Sequence, residues 1–113
     1  MYLVRIKSGG LEMTAALNSS LTAAELRKFL PIKSKAQRWG QEVYFETHMQ
    51  FEEENPQAAV PSGTIAYWPP GSAFCIFFGQ TPYSPVNVVG KLQGDPELFD
   101  KVRSGDEIIV EKI

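Results

Sequence analysis

The chain has one cysteine, Cys75, and one histidine, His48, in 113 residues. A lone thiol permits no internal disulfide and points to a reducing compartment, so a cytoplasmic location is expected. As a nucleophile, that thiol would have a single candidate imidazole to activate it. Basic charge is also scarce: 11 Lys and Arg against 13 Asp and Glu leave a formal charge of -2. That balance lacks the positive footprint that nucleic acid or an anionic lipid surface requires, so neither is an expected partner. No apolar run approaches the roughly 20 residues that span a bilayer. The start Met1-Tyr2-Leu3-Val4-Arg5-Ile6-Lys7 also lacks a basic region leading into a long apolar core. There is no phosphate-cradling glycine loop, and Ser72 does not sit in a Gly-x-Ser-x-Gly elbow. What remains, 43% hydrophobic residues, suffices for one unstapled core, and residues 1–113 are expected to form a single soluble domain.

The most informative stretch present runs from Thr64 to Gly79: Thr-Ile-Ala-Tyr-Trp-Pro-Pro-Gly-Ser-Ala-Phe-Cys-Ile-Phe-Phe-Gly. It reads as two short strands about a turn with Pro70-Gly71 at its centre. Neither strand alternates apolar with polar, as a strand with one wet face would. Its outward face must be covered by more of the same protein, by a ligand or by a partner.

The rest of the chain punctuates itself into short elements. Tyr2 to Lys7 and Leu11 to Leu17 form a hairpin about Ser8-Gly9-Gly10, with Leu11, Met13, Ala15 and Leu17 on one face. Thr22-Ala23-Ala24-Glu25 fits a capping box opening a helix that stops at Pro31, its apolar stripe being Leu21, Leu26, Phe29 and Leu30. Lys33 to Gly40 reads as a basic linker. Val43, Phe45, Met49 and Phe51 then alternate with Glu42, Tyr44, Glu46 and His48. Glu52-Glu53-Glu54 begins an acidic, solvated turn. Val86 to Val89 is a strand, and Asp95-Pro96 caps a second short helix buried through Leu98, Phe99 and Val102. A final strand containing Ile108, Ile109 and Val110 is expected to return to Tyr2–Lys7 and close the sheet, with Phe45, Ile65, Cys75, Phe77, Val88 and Ile109 inside. The fold class is mainly β: a closed barrel with two short capping helices.

Gly71-Ser72-Ala73-Phe74-Cys75-Ile76, Thr81-Pro82-Tyr83 and Val88-Val89-Gly90-Lys91 resemble the C-terminal half of cyclophilins. Tyr67-Trp68-Pro69-Pro70-Gly71 and the segment Cys75 to Pro82 resemble more closely the small cyclophilin-like proteins of prokaryotes, in which these motifs recur. The resemblance implies a cyclophilin-like barrel. In cyclophilins an arginine beside an aromatic pocket catalyses prolyl isomerisation. Here the arginine's topological place falls on Arg38, which lacks the Phe-His before it. The pocket aromatic falls on Cys75, the loop tryptophan on Tyr83, and the histidine on Val86 or Asn87.

The expected function is therefore binding of a small ligand or a short, proline-containing peptide, without strong catalysis, in a groove lined by Tyr44, Trp68, Phe78 and Tyr83. The alternative is a peptidyl-prolyl cis-trans isomerase with Arg38 as the donor to the twisting amide. A third reading is an interaction module whose apolar hairpin makes a homodimer. Glu42, Glu46 and His48 share a strand face but read as a solvated ladder, and Cys75 as a buried inert thiol, so no metal and no cofactor is expected.

Overall fold

Short alternating segments separated by glycine turns can satisfy their backbone groups only by pairing, and here they pair into one sheet. The structure is a computed structural model and describes residues 2–79, 82 and 84–113. Strands β1 (Tyr2–Ser8) and β2 (Leu11–Leu17) form a hairpin in register Tyr2↔Leu17 to Ser8↔Leu11. Val4, Ile6, Met13, Ala15 and Leu17 point inward, while Arg5 and Glu12 pair outside at 3.0 Å. After helix α1 (Leu21–Lys28) come β3 (Ile32–Lys35), β4 (Gln37–Trp39), β5 (Glu42–Glu46), β6 (Thr64–Trp68), β7 (Ala73–Phe77), β8 (Asn87–Leu92) and β9 (Glu107–Lys112). The order across the sheet is β3-β9-β1-β2-β8-β6-β7-β5-β4, every pair antiparallel. The termini pair as expected, Ile6 facing Val110.

The first and last strands in that order, β3 and β4, are consecutive in the chain with only Ala36 between them. The sheet thus curls until one continuous segment serves both edges, which removes most of the open edge. Ala36 anchors the crossing: its N–H donates to the Asp106 carbonyl at 2.7 Å and its carbonyl accepts from the Gly105 N–H at 2.8 Å. The basic linker expected over 33–40 is therefore two strands. Lys33 and Lys35 point to water, and the opposite positions Ile32, Ser34 and Ala36 are too short a set, and too mixed, to announce a strand.

The helix starts at Leu21, two residues earlier than a cap at Thr22 would place it. Ser20 is its N-cap, the hydroxyl oxygen accepting from the Ala23 N–H at 3.1 Å. The remaining first-turn donors find Glu54, whose carboxylate accepts from the N–H groups of Leu21 (2.9 Å) and Thr22 (2.8 Å) and from the Thr22 hydroxyl (2.7 Å). Asn87 pins this loop, accepting from the Glu54 N–H at 2.9 Å and donating to the Glu52 carbonyl at 2.9 Å. The acidic turn is thus a helix clamp, not simply a solvated bend. The buried stripe becomes Thr22, Ala23 and Leu26, followed by Leu30; Leu21 and Phe29 are exposed.

Two 3-10 turns complete the structure. Pro96–Lys101 is capped by Asp95, which accepts from the Glu97 N–H at 3.0 Å; Phe99 and Val102 are buried, while Leu98 is exposed. Pro69–Gly71 replaces the expected type II turn, with Ser72 at φ 49° turning the chain into β7.

Inside the barrel, Phe45 and Phe74 stack with ring centroids 5.2 Å apart. Tyr67 is fully buried but satisfied: its hydroxyl donates to the Met49 carbonyl at 2.7 Å and accepts from the Phe51 N–H at 3.1 Å. Phe45, Ile65, Cys75 and Phe77 are buried as expected, the first two inside the barrel and the last two in a cluster on its outer face. Val88 and Ile109 are only half-buried, and Val89, Ile108 and Val110 take the interior instead. Runs of adjacent branched residues carry no alternation, so the facing is set by pairing alone. In β8 that pairing shifts at a bulge opposite Ile65/Ala66. Among the described residues no helix is long and apolar enough to cross a membrane.

Candidate functional site

Strands β5, β7 and β6 are adjacent, and β7 and β6 are apolar on both faces, so with Tyr44 of β5 they carry a second hydrophobic layer outside the barrel. Tyr44 faces Cys75 and Cys75 faces Ala66 across the ladder, and Glu42 faces Phe77. Ala66, Ala73, Cys75, Phe77 and Val86 form a buried outer cluster against which Tyr44, Val60 and Trp68 pack. The covering chain is held by a two-way backbone pair between Gln57 and Val86, at 2.8 and 3.0 Å. The cover is incomplete. It leaves an open hollow of about 210 Å³ walled by Trp39, Tyr44, Trp68, Cys75 and Phe77, rimmed by Pro82, Ser84 and Val86, with Glu42 in its lining.

Both tryptophans of the chain line this hollow. Trp68 is held in place twice. Its indole N–H donates to the Ser84 hydroxyl. Its ring also lies against Gly71, where a Cβ would come within 2.5 Å of a ring carbon, so a side chain at that position would push the indole aside. Trp39 comes from the edge strand β4 and is 47% exposed, which makes it the wall facing solvent.

Glu42 is only 6% exposed, although the sequence places it on a solvated ladder. Tyr44 on the same face lines the hollow as well, while Glu46 turns to water and accepts from the His48 Nδ1 at 3.1 Å. Among the described residues no Lys, Arg or His pairs with Glu42. Burial raises its pKa above 4.5, and a hydrogen bond from the Cys75 thiol offsets part of that rise. The same contact works against the thiol: burial and the neighbouring carboxylate hold the Cys75 pKa well above 9.0. Such a thiol is a poor nucleophile. Among the described residues no group of three His, Cys, Asp or Glu is arranged to hold a metal ion.

The structure brings together only some of the residues singled out from sequence. Tyr44 and Trp68 share the hollow. Phe78 belongs to the barrel's inner cluster, and Tyr83 lies outside the described residues. Arg38 does not line the hollow. Its guanidinium donates to the carbonyls of Gly40 (2.7 and 3.2 Å), Asp100 (3.0 Å) and Val102 (2.8 Å), pairs with the Asp100 carboxylate at 3.2 Å, and lies 5.0 Å over the Phe78 ring. That set ties β4 to the end of the second 3-10 turn. Trp39, Glu42, Cys75, Phe77, Pro82, Ser84 and Val86 line the hollow without having been assigned to it from the sequence. The available signal was the pairing of a charged strand face with a strand that has no polar face at all.

A nearly closed antiparallel barrel with a ligand-sized hollow outside its wall defines the class. The chain belongs to the Cyclophilin-like family, whose model matches residues 2–111. It is similar to a hypothetical protein from Archaeoglobus fulgidus known from its solution structure, at 33% identity and TM-score 0.84, covering 99% of this chain and 95% of that one. It also shares its fold with McbB, solved in complex with tryptophan, at 17% identity and TM-score 0.74, covering 96% of this chain and 44% of that one. No curated protein matches the chain.

Proposed function

We propose that this protein is a binding module that takes a small, mainly apolar molecule, or one side chain of a peptide, into the hollow on the outer face of β5, β7 and β6, without strong catalysis of its own. The observation that carries this reading is the unfilled aromatic hollow itself. The surrounding strands are close-packed on their inner face, and on the outer face the described residues leave part of the apolar surface uncovered. Size decides what fits. An apolar cavity of about 150 Å³ accommodates benzene, so about 210 Å³ suits one ring with a short chain or a small fused ring, and not several residues of a peptide. McbB, of the same fold, holds a tryptophan. The isomerase alternative has less behind it, because the donors of Arg38 are directed at backbone carbonyls and Asp100.

The test uses the two tryptophans as reporters. Titration with 2-phenylethanol, a single ring that does not absorb where tryptophan is excited at its red edge, should change their emission saturably. Trp68→Ala should weaken the affinity about tenfold or more, as removal of a buried aromatic anchor does. A linear response with no saturation, in emission and in amide shifts alike, would exclude the site.

A further inference from the structure

A carboxylate buried in an apolar wall is costly unless something donates to it. Glu42 has four lone-pair positions to fill; its neighbouring thiol, Cys75, is a weak donor shared with the Ala73 carbonyl at 3.8 Å, and the carboxylate lines the open hollow rather than a sealed void. It is more than nine-tenths buried, lines the hollow, and has no cationic partner among the described residues. The protein therefore holds an acceptor in a place where a glutamine or a leucine would be cheaper to bury.

From this geometry we infer that the occupant carries a protonated amine, which meets the Glu42 carboxylate while its apolar part lies against the aromatic walls; the inference rests on the binding reading above. The walls favour the same chemistry. An ammonium is attracted to aromatic ring faces, tryptophan most of all, and most strongly where water is excluded. The hollow offers two indoles, a phenol and a phenyl ring around one acid. A neutral molecule would leave the acid underused, and an anionic one would meet it with like charge. The chemical class is thus a small arylalkyl amine.

Three probes of nearly equal size separate the possibilities: phenethylamine, 2-phenylethanol and phenylacetate, titrated into the whole protein near neutral pH. Phenethylamine should bind about tenfold more tightly than the alcohol, the usual gain of a charge-assisted bond over a neutral one, and phenylacetate should bind most weakly. Glu42→Gln keeps the shape and removes the charge, so the preference for amine over alcohol should fall to about one. If amine and alcohol bind the wild type alike, or if the preference survives Glu42→Gln, this inference is wrong and the binding reading stands. If none of the three probes binds saturably, both are wrong. Should the variant not fold, the ranking of the three probes on the wild type still decides: the alcohol or the acid in first place overturns the inference.

Discussion

The two faces of β5, β7 and β6 are built from the same kinds of residue and have different fates. On the inner face Phe45, Phe74, Ile76, Ile65 and Tyr67 are sealed in the barrel and fully buried. On the outer face Tyr44, Cys75, Phe77 and Trp68 are equally apolar, yet only a loop covers them and a hollow remains. One face has become core and the other a site. The difference lies in what reaches over each face, not in the composition of the strands. The inner face is closed by the whole ring of strands and by Leu26 from α1. Among the described residues, the outer face meets side chains of the covering loop, chiefly Val60, Ser84 and Val86.

The largest expected effect separates these faces. Phe74→Ala should cost about 3–5 kcal/mol in urea unfolding, because it opens an enclosed void in the barrel. Phe77→Ala should sit at the low end, about 3 kcal/mol, because its void merges with a hollow that already exists and water can enter. If Phe77→Ala proved as costly as Phe74→Ala or costlier, the outer layer would be a second core and not the wall of a site.

Smaller effects contrast the two buried or bonded acids. Glu54 accepts three hydrogen bonds from the first turn of α1, led by the Thr22 hydroxyl, which hold its pKa below 4.5. Its stabilising contribution is therefore present above that value and disappears as pH falls through the lowered folded pKa. Glu54→Gln should cost about 0.5–1 kcal/mol at neutral pH, with the gap between wild type and variant closing in acid.

Glu42 runs the other way and is the smallest effect. Burial raises its pKa above 4.5, so its contribution to stability is fully present below that value and is lost as pH rises through the raised folded pKa. Glu42→Gln should therefore melt slightly higher than wild type at neutral pH, by about 1 kcal/mol or less, with no gain in acid. A loss at neutral pH instead would mean that the carboxylate is satisfied within the protein and that its burial serves the fold. A gain is what a residue kept for a ligand would show.

Much of the fold was legible because it follows local rules. The β1–β2 hairpin alternates cleanly about Ser8-Gly9-Gly10, and Asp95-Pro96 carries its own capping signal. The pairing of the termini follows from the need to leave no apolar edge. Most of the misread elements depend on distant chain. The helix starts at Leu21 because Glu54, 33 residues away, satisfies its first amide. The strands at Ile32–Lys35 and Gln37–Trp39 exist because β9 and β5 offer them partners. In β8 and β9 the runs Val88-Val89 and Ile108-Ile109-Val110 left the facing undecided.

The candidate site divides along the same line. From the residues alone, the stretch from Thr64 to Gly79 had to be covered on both faces, since unbroken apolar strands cannot keep one face in water. Tyr44 and Trp68 could be named from strand facing and from the turn beside them. Only the folded chain decided that Glu42 is buried, because its environment is set by Phe77 across the β5–β7 ladder and by Trp39, its register partner on the neighbouring edge strand β4. Only the folded chain, too, gave Arg38 its partners, the carbonyls of Asp100 and Val102 some sixty residues on. Periodicity reports which side a residue faces; what waits on that side is a matter of long-range packing, and a period-2 pattern carries no record of it.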